Sequence, residues 1–247
     1  MKKTWFERGM ARVVGAMLLG ELRDGVRAVY LRGELPRPPF VLAMNHHSYF
    51  DGHIVYLLFR KFELRGKLLV SRENLAAFPI FKPLGALEAD RVREALRALK
   101  EGEVVAVFPE GELRPGGELG SLKRGAVFLA EKAKVPLVPV AARLILRGFP
   151  RPEAYVWIGN PVELDVDSLK RALGAMLSEM DKLLRQSEPR TPLPGFQPLL
   201  FGHRGFDERM AKFSRALGKF WGHRINRKDQ PKHVQDVNKC WKPQRSG

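Results

Sequence analysis

Cysteine is almost absent from this sequence. The single Cys240, in the polar C-terminal stretch of a 247-residue chain, excludes an internal disulfide framework and has no strand–turn context of the kind that activates a thiol. Long apolar runs are missing as well. No segment approaches the roughly 18–20 apolar residues that cross a bilayer, and the longest N-terminal candidate, residues 13–20, is eight residues long. Glu7, Arg8 and Arg12 interrupt any apolar core of a secretory signal, so no signal peptide is expected. The sequence also has no HExxH, no G-x-S-x-G, no zinc-type cysteine spacing, no RNP-like aromatic motif and no internal repeat. Acidic residues are scarce: 27 Asp/Glu stand against 43 Lys/Arg, a formal charge of +16.

What is present is a hydrophobic content of 45%, enough for an ordinary core. The charge is placed unevenly. Residues 201–247 hold 12 Lys/Arg and 4 Asp/Glu, and residues 1–32 hold 7 against 3, which leaves the middle nearly balanced. Basic ends on a balanced domain point to an anionic surface, lipid or nucleic acid. Residues 3–22 place Trp5, Phe6, Met10, Val13, Val14, Met17 and Leu18 along a helical stripe, with Lys2, Lys3, Arg8 and Arg12 largely on other faces. Such a helix suits a lipid interface or the protein's own core. Pro189, Pro192, Pro194, Gly195 and Pro198 read as a linker. Beyond it, Phe206, Met210, Phe213, Leu217, Phe220 and Trp221 recur at helical spacing among arginines and lysines, a basic amphipathic helix followed by a tail of disordered composition.

Between these ends, short apolar strand-like segments at residues 26–31, 40–44, 67–70, 86–89, 104–108, 137–141 and 155–158 alternate with helical patterns. The helices read at 48–59, 73–78, 91–100, 122–134 and 168–185. This alternation predicts an α/β domain with a mostly parallel or mixed central sheet flanked by helices.

The chemistry concentrates in residues 44–52, MNHHSYFDG, directly after an apolar strand. Three arrangements fit it. His47 and Asp51, four apart, could share a helix face as metal ligands, though no second cluster completes a site. Ser48 and Asp51 have the S-x-x-D form of a capping box. A histidine steered by Asp51 could also act as a general base. In a continuous helix the i,i+4 relation favours His47; if Ser48 is the N-cap, both histidines precede the helix and His46 can fold over its first turn.

Residues 45–51 match N-H-x-S-x-x-D, and this stretch resembles the H-x4-D motif of the glycerolipid acyltransferases. Three further blocks follow in the family's order: G-A-L-E-A-D-R at 85–91, F-P-E-G at 108–111 continued by G-E-L…L-K-R-G-A at 117–126, and V-P-L-V-P-V at 135–140. The resemblance implies a His46–Asp51 dyad, with His46 taking a proton from the acceptor hydroxyl and no acyl-enzyme. Acyl-carrier protein or acyl-CoA would be the acyl donor, and no cofactor or metal is expected. It implies substrate-binding roles for Arg91, Glu110, Gly111 and Lys123. The backbone at Glu110–Gly111 is an expected oxyanion donor, since it follows a strand's carboxyl end. Where the family reads FPEGTRS, with its arginine on the acceptor's phosphate, this chain has Glu112 and Leu113, and Arg114, one residue late, is the expected substrate-binding arginine if the loop brings it round.

The implied activity is acylation of lysophosphatidate to phosphatidate, with another lysolipid or membrane alcohol as the alternative acceptor. The partners would be an anionic membrane surface, the lysolipid and the acyl donor, with no nucleic acid. The expected location is peripheral or monotopic, on the cytoplasmic face of the cell membrane. The expected organisation is a membrane-interface helix region over 1–32, a catalytic domain over 33–188, and linker, basic helix and tail over 189–247.

Overall fold

Three apolar segments with neither face in water form the middle of the sheet: β2 (Val41–Met44), β5 (Val104–Val107) and β6 (Leu137–Ile145). Strands buried on both faces need no polar alternation, which is why they read as unbroken apolar runs. The computed structural model describes residues 5–203 together with Met210, Phe213 and Ser214. Around the central strands lie β1 (Ala28–Arg32), β3 (Gly66–Val70), β4 (Ala86–Glu88), β7 (Glu153–Ile158) and β8 (Gln197–Phe201), in the order β4-β3-β5-β2-β6-β7-β1-β8. Neighbours pair in parallel except β6 with β7 and β1 with β8. The sheet is therefore mixed, flanked by helices on both faces, as expected.

Side chains alternate across the strands and build two apolar layers. Leu42, Met44, Val104 and Ala106 meet Leu22 of α1 (Trp5–Gly25) and Ile54, Leu57 and Leu58 of α2 (Asp51–Lys61). Val41, Ala43 and Val105 face the other way. They belong to the layer holding Ala95 of α4 (Val92–Lys100), Leu129 of α5 (Gly125–Ala133), and Leu169 and Leu173 of α6 (Val166–Gln186). The start of α6 is fixed by Asp165, whose Oδ1 accepts the Ser168 N–H at 2.7 Å, a side-chain N-cap. The short α3 (Arg72–Ala77) and a 3₁₀ turn (Pro79–Leu84) carry the chain from β3 to β4.

Several expectations are corrected here. β1 belongs to the sheet, hydrogen-bonded between β7 and β8, rather than to a separate N-terminal region ending at residue 32. The proline-rich stretch after 189 is no linker: Leu193, Phe196 and Leu200 are buried and β8 closes the sheet edge. β6 runs to Ile145 and turns back into β7. α5 begins at Gly125, three residues later than its apolar pattern suggests. Of the expected C-terminal helix, only Met210, Phe213 and Ser214 are described; they are helical and exposed. The rest of that helix, the tail and Cys240 lie outside the described residues. Among the described residues, no helix is long and apolar enough to cross a membrane.

Candidate active site

β2 and β5 are sheet neighbours, so the loops leaving their carboxyl ends meet. Asp51, fully buried at the first position of α2, gathers the β2 loop around one oxygen. Its Oδ2 accepts the His47 N–H at 2.8 Å and the Ser48 N–H at 2.9 Å, and lies 2.8 Å from His46 Nδ1. An ionised carboxylate only accepts, so His46 Nδ1 carries the proton and Nε2 is left as the proton acceptor. The ring is held flat against Phe108 at the end of β5, with centroids 4.2 Å apart and planes within 15°.

The capping expectation is half right. Asp51 returns to the Ser48 N–H as a capping box requires. The Ser48 hydroxyl, however, accepts the Phe50 N–H, and α2 starts at Asp51 rather than Ser48, with no side-chain cap on its N-cap residue Phe50. Both histidines thus precede the helix, and the i,i+4 face rule does not reach them.

His47 is occupied elsewhere. Its Nε2 accepts the backbone N–H of Leu144 at 3.0 Å, and Asn45 Nδ2 lies 3.0 Å from its Nδ1. Asn45 is fixed in turn by both backbone groups of Ala142: Oδ1 accepts the N–H at 2.7 Å and Nδ2 donates to the carbonyl at 3.2 Å. These are the bonds of one more rung where β6 continues past the end of β2, which last pairs at Met44 with Val140. Burial, chiefly, holds the His47 pKa below its ordinary value; the Arg143 charge pushes the same way, while Asp51 and Glu110 oppose it. A neutral ring with an N–H aimed at its Nε2 is not a base. The histidine paired with the Asp51 carboxylate through its ring is His46.

The loop after β5 is riveted to this one. Glu110 is buried, and its Oε2 accepts the His46 N–H at 2.7 Å while Oε1 accepts the Gly120 N–H at 3.0 Å. The Arg114 N–H donates to the His46 carbonyl at 2.9 Å. The geometry therefore gives Glu110 a positioning role, in place of the direct substrate contact expected. Gly111 donates its N–H to the Phe108 carbonyl at 3.0 Å, which takes that group out of the expected oxyanion role. With φ at 74°, Gly111 leaves room for Lys123, whose Nζ lies 2.5 Å from where a Cβ would stand.

Lys123 lines the cavity described below and makes no ion pair among the described residues. The Arg114 guanidinium pairs with Glu112. It turns toward a small recess behind His47, away from the main cavity. Arg91, just before α4, lies 3.5 Å from Glu88 and 3.2 Å from Glu94 and is exposed. Its neighbours Ala89 and Val92 line the cavity and Arg91 does not. The structure thus brings together His46, Asp51, Glu110, Gly111 and Lys123 but leaves Arg91 and Arg114 outside the lining.

Sequence reading missed Arg143, which binds Asp181 of α6 at 2.8 and 2.9 Å and the Gly117 carbonyl at 2.7 Å, pinning the β5 loop to a distant helix. No local signal announces a pair 38 residues apart.

His46 opens onto a cavity of about 930 Å³, walled mostly by apolar side chains. Val55, Tyr56, Phe59 and Leu68 line it on the α2 face of the sheet, and Leu69, Val107, Phe128 and Leu129 on the α5 face. A proton acceptor at the mouth of an apolar chamber suits chemistry on a hydroxyl or carbonyl carried by a lipid chain. Among the described residues, no group of three His, Cys, Asp or Glu side chains could hold a metal ion.

Residues 27–143, which run from β1 into β6 and include both loops that meet at this site, match the Acyltransferase family model. The 1-acyl-sn-glycerol-3-phosphate acyltransferase of Bacillus subtilis (strain 168) is 30% identical over 184 residues, 68% of this chain and 90% of that protein. The lyso-ornithine lipid O-acyltransferase of Rhizobium meliloti (strain 1021) is 30% identical over 151 residues, 56% of this chain and 47% of that one. The crystal structure of the 1-acyl-sn-glycerophosphate (LPA) acyltransferase PlsC from Thermotoga maritima aligns with a TM-score of 0.49 at 20% identity, covering 74% of this chain and 79% of that one. With an H-x4-D dyad assembled at the sheet's carboxyl edge and a relative aligned over nearly its whole length, the chain belongs to the PlsC-like glycerolipid acyltransferases.

Proposed function

We propose that the protein transfers a fatty acyl group from an acyl thioester, of acyl-carrier protein or coenzyme A, to the free hydroxyl of 1-acylglycerol-3-phosphate. The observation that carries this is the 2.8 Å His46–Asp51 contact at the mouth of the apolar cavity. In the reaction, His46 Nε2 takes the hydroxyl proton as the oxygen bonds to the thioester carbon. The tetrahedral oxyanion collapses, the C–S bond breaks, and the leaving thiolate takes the proton back from Nε2. Asp51 keeps Nδ1 protonated and stabilises the imidazolium between the two transfers. Lys123, on the cavity wall beside Gly111, would meet the phosphate.

Both substrates are amphiphiles, so the site would work at a lipid surface. Trp5, Val13 and Met17 of α1 and Phe78 and Ile80 at the 3₁₀ turn expose large apolar side chains, and α1 packs over that turn. These features support docking on an anionic membrane with the cavity facing lipid.

A second acceptor is favoured by one observation. Glu112 puts a carboxylate on the cavity wall and ties up Arg114, and Leu113 stands beside it, so a lysolipid with a different head group fits the same chemistry. Purified protein offered a panel of lysolipids with each acyl donor, with products identified by mass spectrometry, tests both readings. Diacyl product from lysophosphatidate supports the first. Product from another lysolipid alone leaves acyl transfer standing and removes lysophosphatidate, and no product from any acceptor overturns both.

A further inference from the structure

A second cluster of titratable groups sits beside the dyad, contributed partly by α1. Glu21 of α1 accepts the Tyr49 hydroxyl proton at Oε1, 2.7 Å away, and its Oε2 lies 3.2 Å from His53 Nε2. His53 is buried on α2, and both Tyr49 and His53 line the cavity. The rings of Tyr49, Phe50 and His53 form a contact triangle with centroids 5.2–5.4 Å apart. Two close approaches extend the same seam. A Cβ at Gly15 would come within 1.9 Å of the Tyr56 hydroxyl, and one at Gly25 within 2.0 Å of Phe50 Cζ.

Each of these anchor points of α1 therefore falls on residues 49–56, the short segment that contains Asp51. A half-exposed Glu–Tyr bond on a surface helix would be of little consequence alone. Joined to a buried histidine and two backbone-close contacts, it fixes the segment from which Asp51 steers His46. The Tyr49 hydroxyl chiefly, with help from His53, holds the Glu21 carboxyl below its ordinary range, as expected for a carboxylate used as an acceptor.

We infer that Glu21 is a positioning residue for the reaction: through Tyr49 and His53 it clamps α1 to the segment bearing Asp51, making α1 part of the active site. This rests on the assignment of His46 as the base. The test compares Glu21→Ala, Glu21→Gln and Tyr49→Phe, singly and with the first and last combined, by steady-state kinetics with lysolipid and acyl donor. Glu21→Ala should lower kcat about tenfold, a loss of about 1.4 kcal/mol of transition-state stabilisation, with KM within about twofold.

Tyr49→Phe should reproduce most of that loss, and Glu21→Gln, which still offers an acceptor to Tyr49, should recover most of it. The double variant should be no worse than Glu21→Ala. Unchanged kcat in Glu21→Ala, or losses that add in the double variant, would overturn the inference. The His46 ring Nδ1–H signal of the free protein, followed by NMR, separates this from a failure of the functional reading. It should shift in Glu21→Ala even if no lysolipid is turned over, and an unshifted signal counts against the clamp.

Discussion

A histidine works as a base when one ring nitrogen is held and the other is open, and of the adjacent pair His46 meets that condition. Its Nδ1 is held by Asp51, whereas His47 spends its Nε2 on the Leu144 N–H. His46→Ala should therefore lower turnover by about two to four orders of magnitude. His47→Gln, whose amide oxygen can still accept from Leu144, should keep turnover within about tenfold of the wild type. Kinetics showing the reverse ranking would reassign the base. His47 also predicts a pH effect of definite sign. Its folded pKa lies below the unfolded value of about 6.5, so the unfolded chain binds the proton first. The stability this site contributes is complete above about pH 6.5 and is lost as pH falls toward the folded pKa. Thermal melting should drop less between about pH 7 and 5 in His47→Gln than in the wild type; parallel curves would refute the assignment. The His46–Asp51 contact was legible through the resemblance to the family's H-x4-D motif, whereas helix spacing alone pointed to His47. The fate of His47 was not legible, because its Nε2 meets the backbone N–H of Leu144 while Asn45 beside it is held by the backbone of Ala142, and no side-chain pattern encodes such partners.

At the scale of elements, what misled was the difference between local composition and tertiary position. Pro192, Pro194 and Pro198 gave the stretch after α6 the look of a linker, yet Pro198 sits in an edge strand, where a missing N–H costs no ladder bond. The stretch is held by burial: Phe196 meets the edge of the Tyr155 ring at 5.4 Å and of Trp157 at 6.4 Å. Phe196→Ala should reduce unfolding free energy by about 3–5 kcal/mol, read from the denaturant midpoint. A shift of a few tenths of a kcal/mol would mean that β8 is not part of the cooperative unit. The central strands were readable because burial on both faces leaves an unbroken apolar signature. The start of α2 was blurred by Ser48, whose hydroxyl serves the preceding turn.

For the molecule as a whole, charge and apolar exposure combine at the end where α1 lies. Residues 1–32 carry 7 Lys/Arg against 3 Asp/Glu, and the same segment exposes Trp5, Val13 and Met17. Sedimentation with anionic vesicles should weaken as salt rises, because the charge contribution is screened. Combined Val13→Asp and Met17→Asp should weaken it further at constant salt, while circular dichroism stays unchanged. Equal pelleting of variant and wild type would remove α1 from the lipid contact. One feature of the architecture bears on how such a protein changes over time. β6 outruns β2, and the rungs at Ala142 and Leu144, which β2 does not reach, grip Asn45 and His47 through main-chain atoms alone. Substitutions at 142 and 144 that fit the strand leave that grip intact, whereas inserting or deleting a single residue in β6 shifts every rung. The active site tolerates drift in composition there and is intolerant of changes in length.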